Sequence, residues 1–155
     1  MIFKLWKKIG QLSFFISIPF LHIYLRSTKR TRVLIVSKSK VLLVKGWLGS
    51  GKWILPGGGR HRGESALDAV IRELREETGL ELHASSLKDV GEAKFARYGL
   101  RFTYQRFITE LPEPIEPKLR QIEIVDAAWL PIDDVTHKIV DQEVLDLIGV
   151  WKGSD

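Results

Sequence analysis

The stretch that most constrains the fold of this chain covers residues 53–80, WILPGGGRHRGESALDAVIRELREETGL. An apolar run ends at Pro56 and is followed by three consecutive glycines, which is typical of a loop that leaves a strand. Ser65 is a favourable helix N-cap, and Asp68 is an acidic variant of the capping-box partner. Gly79 stands where a helix usually ends in the left-handed conformation. The stretch therefore predicts a strand, a glycine loop and a helix of about 13 residues, in that order.

The predicted helix has an apolar face that we expect to pack on the core. Its residues recur at i, i+4, i+7 and i+11, namely Leu67, Ile71, Leu74 and Thr78. The small residues Ala66, Ala69 and Val70 are predicted to lie on the other side, where another group can approach closely.

That other side also carries three glutamates, Glu73, Glu76 and Glu77, at i, i+3 and i+4. Three like charges destabilise a helix, and a divalent cation between them removes the repulsion, since Mg²⁺ and Mn²⁺ prefer hard oxygen ligands. The alternative is a solvated acidic face with Arg72 and Arg75 as partners. The adjoining glycine loop favours the cation, because its backbone groups suit phosphate oxygens and a metal.

Residues 58–80 resemble the Nudix box, G-x5-E-x7-R-E-U-x-E-E-x-G-U, in which U is a bulky aliphatic residue. Every defined position is filled: Gly58, Glu64, Arg72, Glu73, Leu74, Glu76, Glu77, Gly79 and Leu80. A pattern with this many fixed positions rarely arises by chance. By this resemblance the chain is identified as a member of the Nudix hydrolase family, with a looser similarity over residues 32–150.

The resemblance implies an α/β fold, an α/β/α sandwich with a mixed sheet, and an enzyme that cleaves a nucleoside diphosphate linked to another group. Water attacks phosphorus in this reaction, and Mg²⁺ or Mn²⁺ neutralises the phosphate oxygens. The implied metal ligands are Glu73, Glu76, Glu77 and the carbonyl of Gly57. Arg72 is implied to hold the glutamates in place, and Glu73 and Glu123 are the candidate general bases. A binding or regulatory module with weak catalysis is the alternative function.

The expected partner is a nucleotide-type small molecule, and the candidate substrate-binding residues are Gly58, Gly59, Arg60 and Tyr98. Arg60, His61 and Arg62 make the loop cationic where many family members have an apolar residue, an acid and often a proline. Such a loop either favours a more anionic substrate or points to solvent. Ala96 stands where many ADP-ribose hydrolases have a proline, so the sequence does not select a substrate.

The net charge of +5 belongs to one end of the chain. Residues 1–32 hold seven cations and no acid, whereas residues 33–155 hold the other 17 of the 24 cations and all 19 acids, a net of −2. This asymmetry indicates a surface-binding segment and no nucleic-acid partner. The chain has no cysteine, which excludes disulfides, thiolate metal sites and a cysteine nucleophile.

Residues 1–31 are predicted to form an apolar helical extension that precedes a catalytic domain at residues 32–155. The apolar run from Leu12 to Leu25 is interrupted by Pro19 and is short for a membrane span. Contact with a membrane surface, a homodimer interface and packing on the domain are the open alternatives. The expected location is cytoplasmic, peripheral at the inner face of a membrane.

The remaining pattern predicts strands before and after the central helix. A hairpin is expected at Val33–Ser37 and Val41–Lys45, extended chain at Leu87–Phe95 and Leu100–Leu111, a late strand at Gln121–Leu130, and a closing helix at Asp141–Val150. Most of the aromatic residues in the middle strands are predicted to pack on the sheet.

Overall fold

The structure is a computed structural model that describes residues 28–47, 50–97, 100–119 and 123–154, together with Ile9, Ser13 and Ile16. The strands are β1 (Arg30–Ser37), β2 (Lys40–Gly46), β3 (Lys88–Arg97), β4 (Leu100–Glu110) and β5 (Ile124–Pro131), and the helices are α1 (Ala66–Thr78) and α2 (Gln142–Lys152). The predictions for Tyr98 and for nearly all of the extension at residues 1–31 lie outside the described residues. In the part that is described, no helix is long and apolar enough to cross a membrane.

The five strands form one mixed sheet in the order β3-β4-β1-β2-β5. β1 runs parallel to β4, and the other neighbouring pairs are antiparallel. The predicted hairpin is present, with Lys38 and Ser39 at positive φ in its turn. β1 begins at Arg30, so its first residues were assigned by the sequence to the extension.

The glycine loop enters the sheet where β1 and β2 separate. These strands pair only at Val36–Val41 and Ser37–Lys40, next to their turn. Further along, Ile54 pairs with Val44, and the backbone N–H groups of Thr31 and Val33 donate to the carbonyls of Gly58 and Pro56 at 2.9 and 3.1 Å. The outer edges of β1 and β2 are taken by β4 and β5, so residues 54–59 occupy the gap between the two central strands.

The two helices pack on opposite faces of the sheet. Val33 and Ile35 of β1 point to the core under α1, with Val70 and Leu74 of the helix. The alternate residues of β1 lie in the other core with α2: Leu34, Val36, Val144, Leu147 and Ile148. Because successive strand residues face opposite sides, this division confirms the predicted α/β/α sandwich.

Helix α1 has the predicted bounds and caps. Ser65 Oγ accepts a hydrogen bond from the Asp68 backbone N–H at 3.0 Å, and Gly79 ends the helix at φ 73°. Ala69 and Val70 are buried in the core, so the prediction that another group can approach closely beside them is wrong. Val70 follows Leu67 by three residues and precedes Leu74 by four, which centres the apolar face on it.

Candidate active site

Glu73 lies directly on the backbone of Gly58. A Cβ atom added at Gly58 would be 2.5 Å from the carboxyl carbon of Glu73 and 2.6 Å from each of its oxygens. The loop can therefore approach the helix this closely only with glycine at this position. The neighbouring Gly57 has a φ of 127°, and a Cβ atom there would collide with the carbonyl oxygen of Thr31 in β1.

Arg72 joins the acidic face of α1 to the loop. Its Nε and Nη2 donate to the two carboxylate oxygens of Glu64, at 2.8 and 3.0 Å. Its Nη1 donates to Glu73 at 2.9 Å and to Glu76 at 3.1 Å. Nη2 also donates to the carbonyl of Gly59 at 2.9 Å. One guanidinium thus holds three carboxylates and one loop carbonyl in fixed relation, which is the arrangement expected for this arginine.

The Arg72–Glu64 pair is a bidentate ion pair with little exposure to solvent. The hydrogen bonds from Arg72 lower the pKa of the Glu64 carboxyl to about 2, against the opposing effect of its burial. The same contact with Glu64, followed by that with Glu73, raises the pKa of Arg72 further above its usual range. Both groups therefore keep their charges at neutral pH.

Glu77 is the buried member of the acidic face, with only 7% of its surface exposed. Its carboxylate accepts a hydrogen bond from the backbone N–H of Gly57 at 2.9 Å. Burial raises the pKa of Glu77 to about 8, although the Gly57 N–H and the charge of Arg32 act in the opposite direction. A carboxylate in this environment is stabilised as an anion when positive charge is placed beside it.

The carboxylates of Glu73, Glu76 and Glu77 supply the hard oxygen donors that suit Mg²⁺ or Mn²⁺. Within the described residues, no group of three or more acidic or histidine side chains is arranged to hold a metal ion as it stands. Two of the three carboxylates are instead turned to the Nη1 atom of Arg72. The three glutamates therefore do not form a metal site as they stand. They fit a divalent cation in their donor chemistry and in their shared place on one helix face.

A buried ion pair that the sequence analysis missed lies beneath the loop. Arg32 of β1 donates from Nε to Glu143 of α2 at 3.2 Å, and its Nη1 donates to the carbonyl of Gly57. Arg32 and Glu143 are 7% and 4% exposed. The carbonyl of Gly57, an expected metal ligand, is therefore fixed from the side of the closing helix. An arginine beside the apolar run of β1 and a glutamate in the first turn of α2 were the available signals.

The other residues of the predicted site and its loop differ in their exposure to solvent. Arg60 is half-buried, and its guanidinium donates to the backbone carbonyl of Glu64, so it is not turned to bulk solvent. Arg62 is exposed. Glu123 lies exposed in the turn before β5, where its backbone carbonyl accepts from Trp47.

Comparison with known proteins agrees with this architecture. The family model of the NUDIX domain matches residues 27–148, which is more than half of the chain. The chain is 30% identical over 129 residues to human diphosphoinositol polyphosphate phosphohydrolase 3-beta, a match that covers 78% of this chain and 71% of that protein. It is 42% identical over 64 residues to the Nudix hydrolase YvcI of Bacillus subtilis (strain 168), covering 39% of this chain and 37% of that protein. The chain belongs to the NUDIX family.

Solved structures show the same fold. The bifunctional NMN adenylyltransferase/ADP ribose pyrophosphatase of Francisella tularensis, in complex with AMP and a Mn ion, matches 94% of this chain and 48% of that chain. The TM-score is 0.71 at 19% sequence identity, so this likeness concerns the fold alone. Three of the related sequences are longer proteins, of which the matches cover 37%, 34% and 18%.

Proposed function

We propose that this chain is a metal-dependent pyrophosphohydrolase that cleaves a diphosphate linkage in a nucleoside diphosphate derivative by attack of water on phosphorus. The observation that carries the proposal is the Arg72 network, which holds Glu64, Glu73 and Glu76 at one end of the glycine loop. A solvated acidic face has no need of a half-buried arginine with contacts to three carboxylates. The names of related proteins, an ADP ribose pyrophosphatase and a diphosphoinositol polyphosphate phosphohydrolase, support a phosphoanhydride as the bond cleaved.

In this proposal the residues of the site act on the cation, on the carboxylates and on the phosphate oxygens. Glu73, Glu76 and Glu77 would hold the cation, which would neutralise the charge of the diphosphate oxygens. Arg72 keeps two of these carboxylates, Glu73 and Glu76, beside the glycine loop through its Nη1 atom. The glycine loop presents backbone groups to phosphate oxygens, because no side chain at Gly58 or Gly59 blocks the approach.

Glu73 is the better candidate for the general base. A base must reach the attacking water directly or through one other water. Glu73 lies against Gly58 within the acidic cluster, whereas Glu123 is exposed at the start of β5. Glu123→Gln should therefore leave turnover within about twofold of the original enzyme, since single exposed charges contribute little.

The test is turnover of ADP-ribose, nucleotide sugars, nucleoside triphosphates and dinucleoside polyphosphates in the presence of Mg²⁺ or Mn²⁺. We expect hydrolysis of at least one of them, abolished by EDTA. Glu77→Gln should lower it at least a hundredfold, and Glu81→Gln is the matched control at an exposed glutamate just beyond α1. Binding without turnover on every substrate would instead support a nucleotide-binding or regulatory module. Full activity of Glu77→Gln would contradict the assignment of the metal ligands.

A further inference from the structure

A cationic cleft of about 740 Å³ lies beside the proposed active site. It is formed by the β3–β4 hairpin on one side and by residues 28–30 and Arg60 on the other. Its charged lining residues are five cations and one acid: Lys29, Arg30, Arg60, Lys94, Arg101 and Glu92. A second cavity of about 510 Å³ shares Lys29 and Arg60 with it and adds one cation, Arg62, and one acid, Glu64.

Two cations of the cleft, Lys94 and Arg101, lie on the same face of the sheet as α1. Arg30, Phe95 and Phe102 line the cleft from the opposite face. In the hairpin, Lys94 is opposite Thr103 and Ala96 is opposite Arg101, so these side chains lie on one face. Thr103 and Phe107 are four residues apart in β4, so their side chains point to the same face of the sheet. Phe107 packs against Val70 and Leu74 of α1. Lys94 and Arg101 therefore lie on the side of the catalytic helix.

A short series of contacts connects the cleft to the glutamates. Arg60 lines the cleft and donates from Nη2 to the Glu64 carbonyl at 2.8 Å. The carboxylate of Glu64 accepts from Arg72, and Arg72 binds Glu73 and Glu76. A ligand with its scissile diphosphate at the glutamates can thus extend along Arg60 into the cleft.

The concentration of positive charge in the cleft is unusual for this part of the chain. Residues 28–155, which include the whole lining, carry 20 cations and 19 acids, a net charge of +1, yet the cleft has five cations against one acid. Among the described residues, no acidic side chain forms an ion pair with Lys94 or Arg101. The two aromatic rings of the wall already contact other side chains of the cleft, because Phe95 stacks on Phe102 at 4.7 Å and Arg30 lies over the Phe102 ring. The lining therefore suits an anion better than a nucleobase.

We propose that this cleft binds phosphoryl groups beyond the diphosphate that is cleaved, so that the substrate is polyphosphorylated. The inference rests on the proposed function and names its substrate class. Arginine and lysine side chains pair with phosphate oxygens, and sugar hydroxyls offer them no charge to neutralise. A linear polyphosphate chain and a ring that carries several phosphates share this chemistry.

The first experiment measures binding without turnover, by calorimetric titration of the full chain with EDTA present. The three ligands are pyrophosphate, tripolyphosphate and inositol hexakisphosphate. Comparison of the last two shows whether the cleft prefers a linear polyphosphate or a phosphorylated ring. The double variant Lys94→Gln/Arg101→Gln should bind tripolyphosphate or the ring phosphate about tenfold more weakly than the original chain, with pyrophosphate changed less than about twofold. Both side chains are exposed, so the fold should survive their replacement.

The matched control is Lys88→Gln/Lys138→Gln, which removes two charges from exposed lysines outside the cleft. It should leave all three affinities unchanged, because exposed charges outside the cleft are screened by salt and contribute little to binding there. An equal loss in both double variants would overturn the proposal, as would equal affinity of the original chain for pyrophosphate and the longer phosphates.

The second experiment compares kcat/KM for nucleoside triphosphates and dinucleoside polyphosphates with kcat/KM for ADP-ribose. The cleft predicts a preference for the substrates with more phosphoryl groups, reduced by Lys94→Gln/Arg101→Gln through KM. If the enzyme turns over all substrates with equal kcat/KM, and the variant does the same, the cleft does not bind extra phosphoryl groups but the proposed function holds. If no substrate is turned over, but the original chain still binds the longer phosphates more tightly than pyrophosphate, the proposed function is wrong and the assignment of the cleft holds.

Discussion

At the scale of single residues, Gly58 shows how one missing side chain positions a carboxylate. Glu73 occupies the space that a Cβ atom at this position would fill. The obstructed atoms are the far end of a flexible side chain, so an alanine would displace the carboxylate without breaking the loop. Gly57 differs, because its added Cβ atom would meet the rigid backbone of β1 at a positive φ.

Gly58→Ala is therefore expected to fold and to lose activity. A displacement of the Glu73 carboxylate by about 1 Å should lower kcat by about a hundredfold. Gly149→Ala is the control, since a Cβ atom there meets no other atom and the residue lies within α2. It should raise stability by roughly 0.5–1 kcal/mol and leave kcat unchanged. Thermal unfolding and steady-state kinetics on both variants measure these effects, and normal turnover of Gly58→Ala would contradict the role of Glu73.

The Glu64–Arg72 pair should give the stability of the protein a defined pH dependence. The pKa of Glu64 falls from 4.5 to about 2 on folding, so the folded state binds its proton less tightly than the unfolded state. The stabilisation is therefore complete above pH 4.5 and is lost as the pH falls towards 2. The unfolding free energy of the original chain should exceed that of Glu64→Gln by at most about 3 kcal/mol at neutral pH.

Urea unfolding of both proteins between pH 2 and 7 measures this difference. The two curves should converge as the pH falls below about 4.5, because protonation removes the same charge that the substitution removes. A difference that stays constant down to pH 2 would show that the carboxylate charge is not what stabilises the pair.

At the scale of secondary-structure elements, local signals predicted α1 well. Ser65 and Gly79 cap the two ends of the helix through contacts with residues close by in the chain, so both ends could be located from the sequence alone. Val70 was not assigned to the apolar face because the periodicity of a short helix leaves the centre of that face ambiguous by about one residue. The pairing of Arg32 with Glu143 could not be predicted, since 111 residues separate them and only the sandwich brings β1 and α2 together.

The Arg32–Glu143 pair predicts a separation of stability from activity. Removing one partner leaves a buried charge alone, so Arg32→Met should cost about 3–5 kcal/mol. In Arg32→Met/Glu143→Met most of this loss should be recovered, because Glu143 already has one buried oxygen without a hydrogen-bond partner. The double variant also lacks the donor to the Gly57 carbonyl, so its kcat should remain low.

Chemical unfolding of the two single variants and the double variant, with kcat measured on each, completes this double-mutant cycle. Recovery of kcat together with stability would show that Arg32 has a structural role only. Failure to recover stability would show that the two side chains do not act as a pair.

At the scale of the whole molecule, the structure changes where the extension ends. Residues 1–32 contain seven cations. Of these, Arg30 and Arg32 belong to β1, and Lys29 lines the cleft. Residues 1–27 retain four cations and no acid, flanking and interrupting an apolar sequence. The charge asymmetry that predicted a membrane-surface or dimer contact is thus smaller, and both the contact and the cytoplasmic location stay predictions.

Two truncated chains, beginning at Thr28 and at Thr31, separate the extension from the cleft. The chain from Thr28 keeps Lys29, whose carbonyl accepts a hydrogen bond from Arg60 N–H at 2.9 Å, and should retain fold and turnover. It should also lose sedimentation with anionic vesicles, because each cation near such a surface contributes about 1 kcal/mol. The chain from Thr31 also lacks Lys29 and Arg30, so its affinity for tripolyphosphate should fall while Glu77 and Arg72 stay in place. Unfolding of the chain from Thr28 would instead mean that residues 1–27 are part of the core, and unchanged sedimentation would exclude them as the membrane contact.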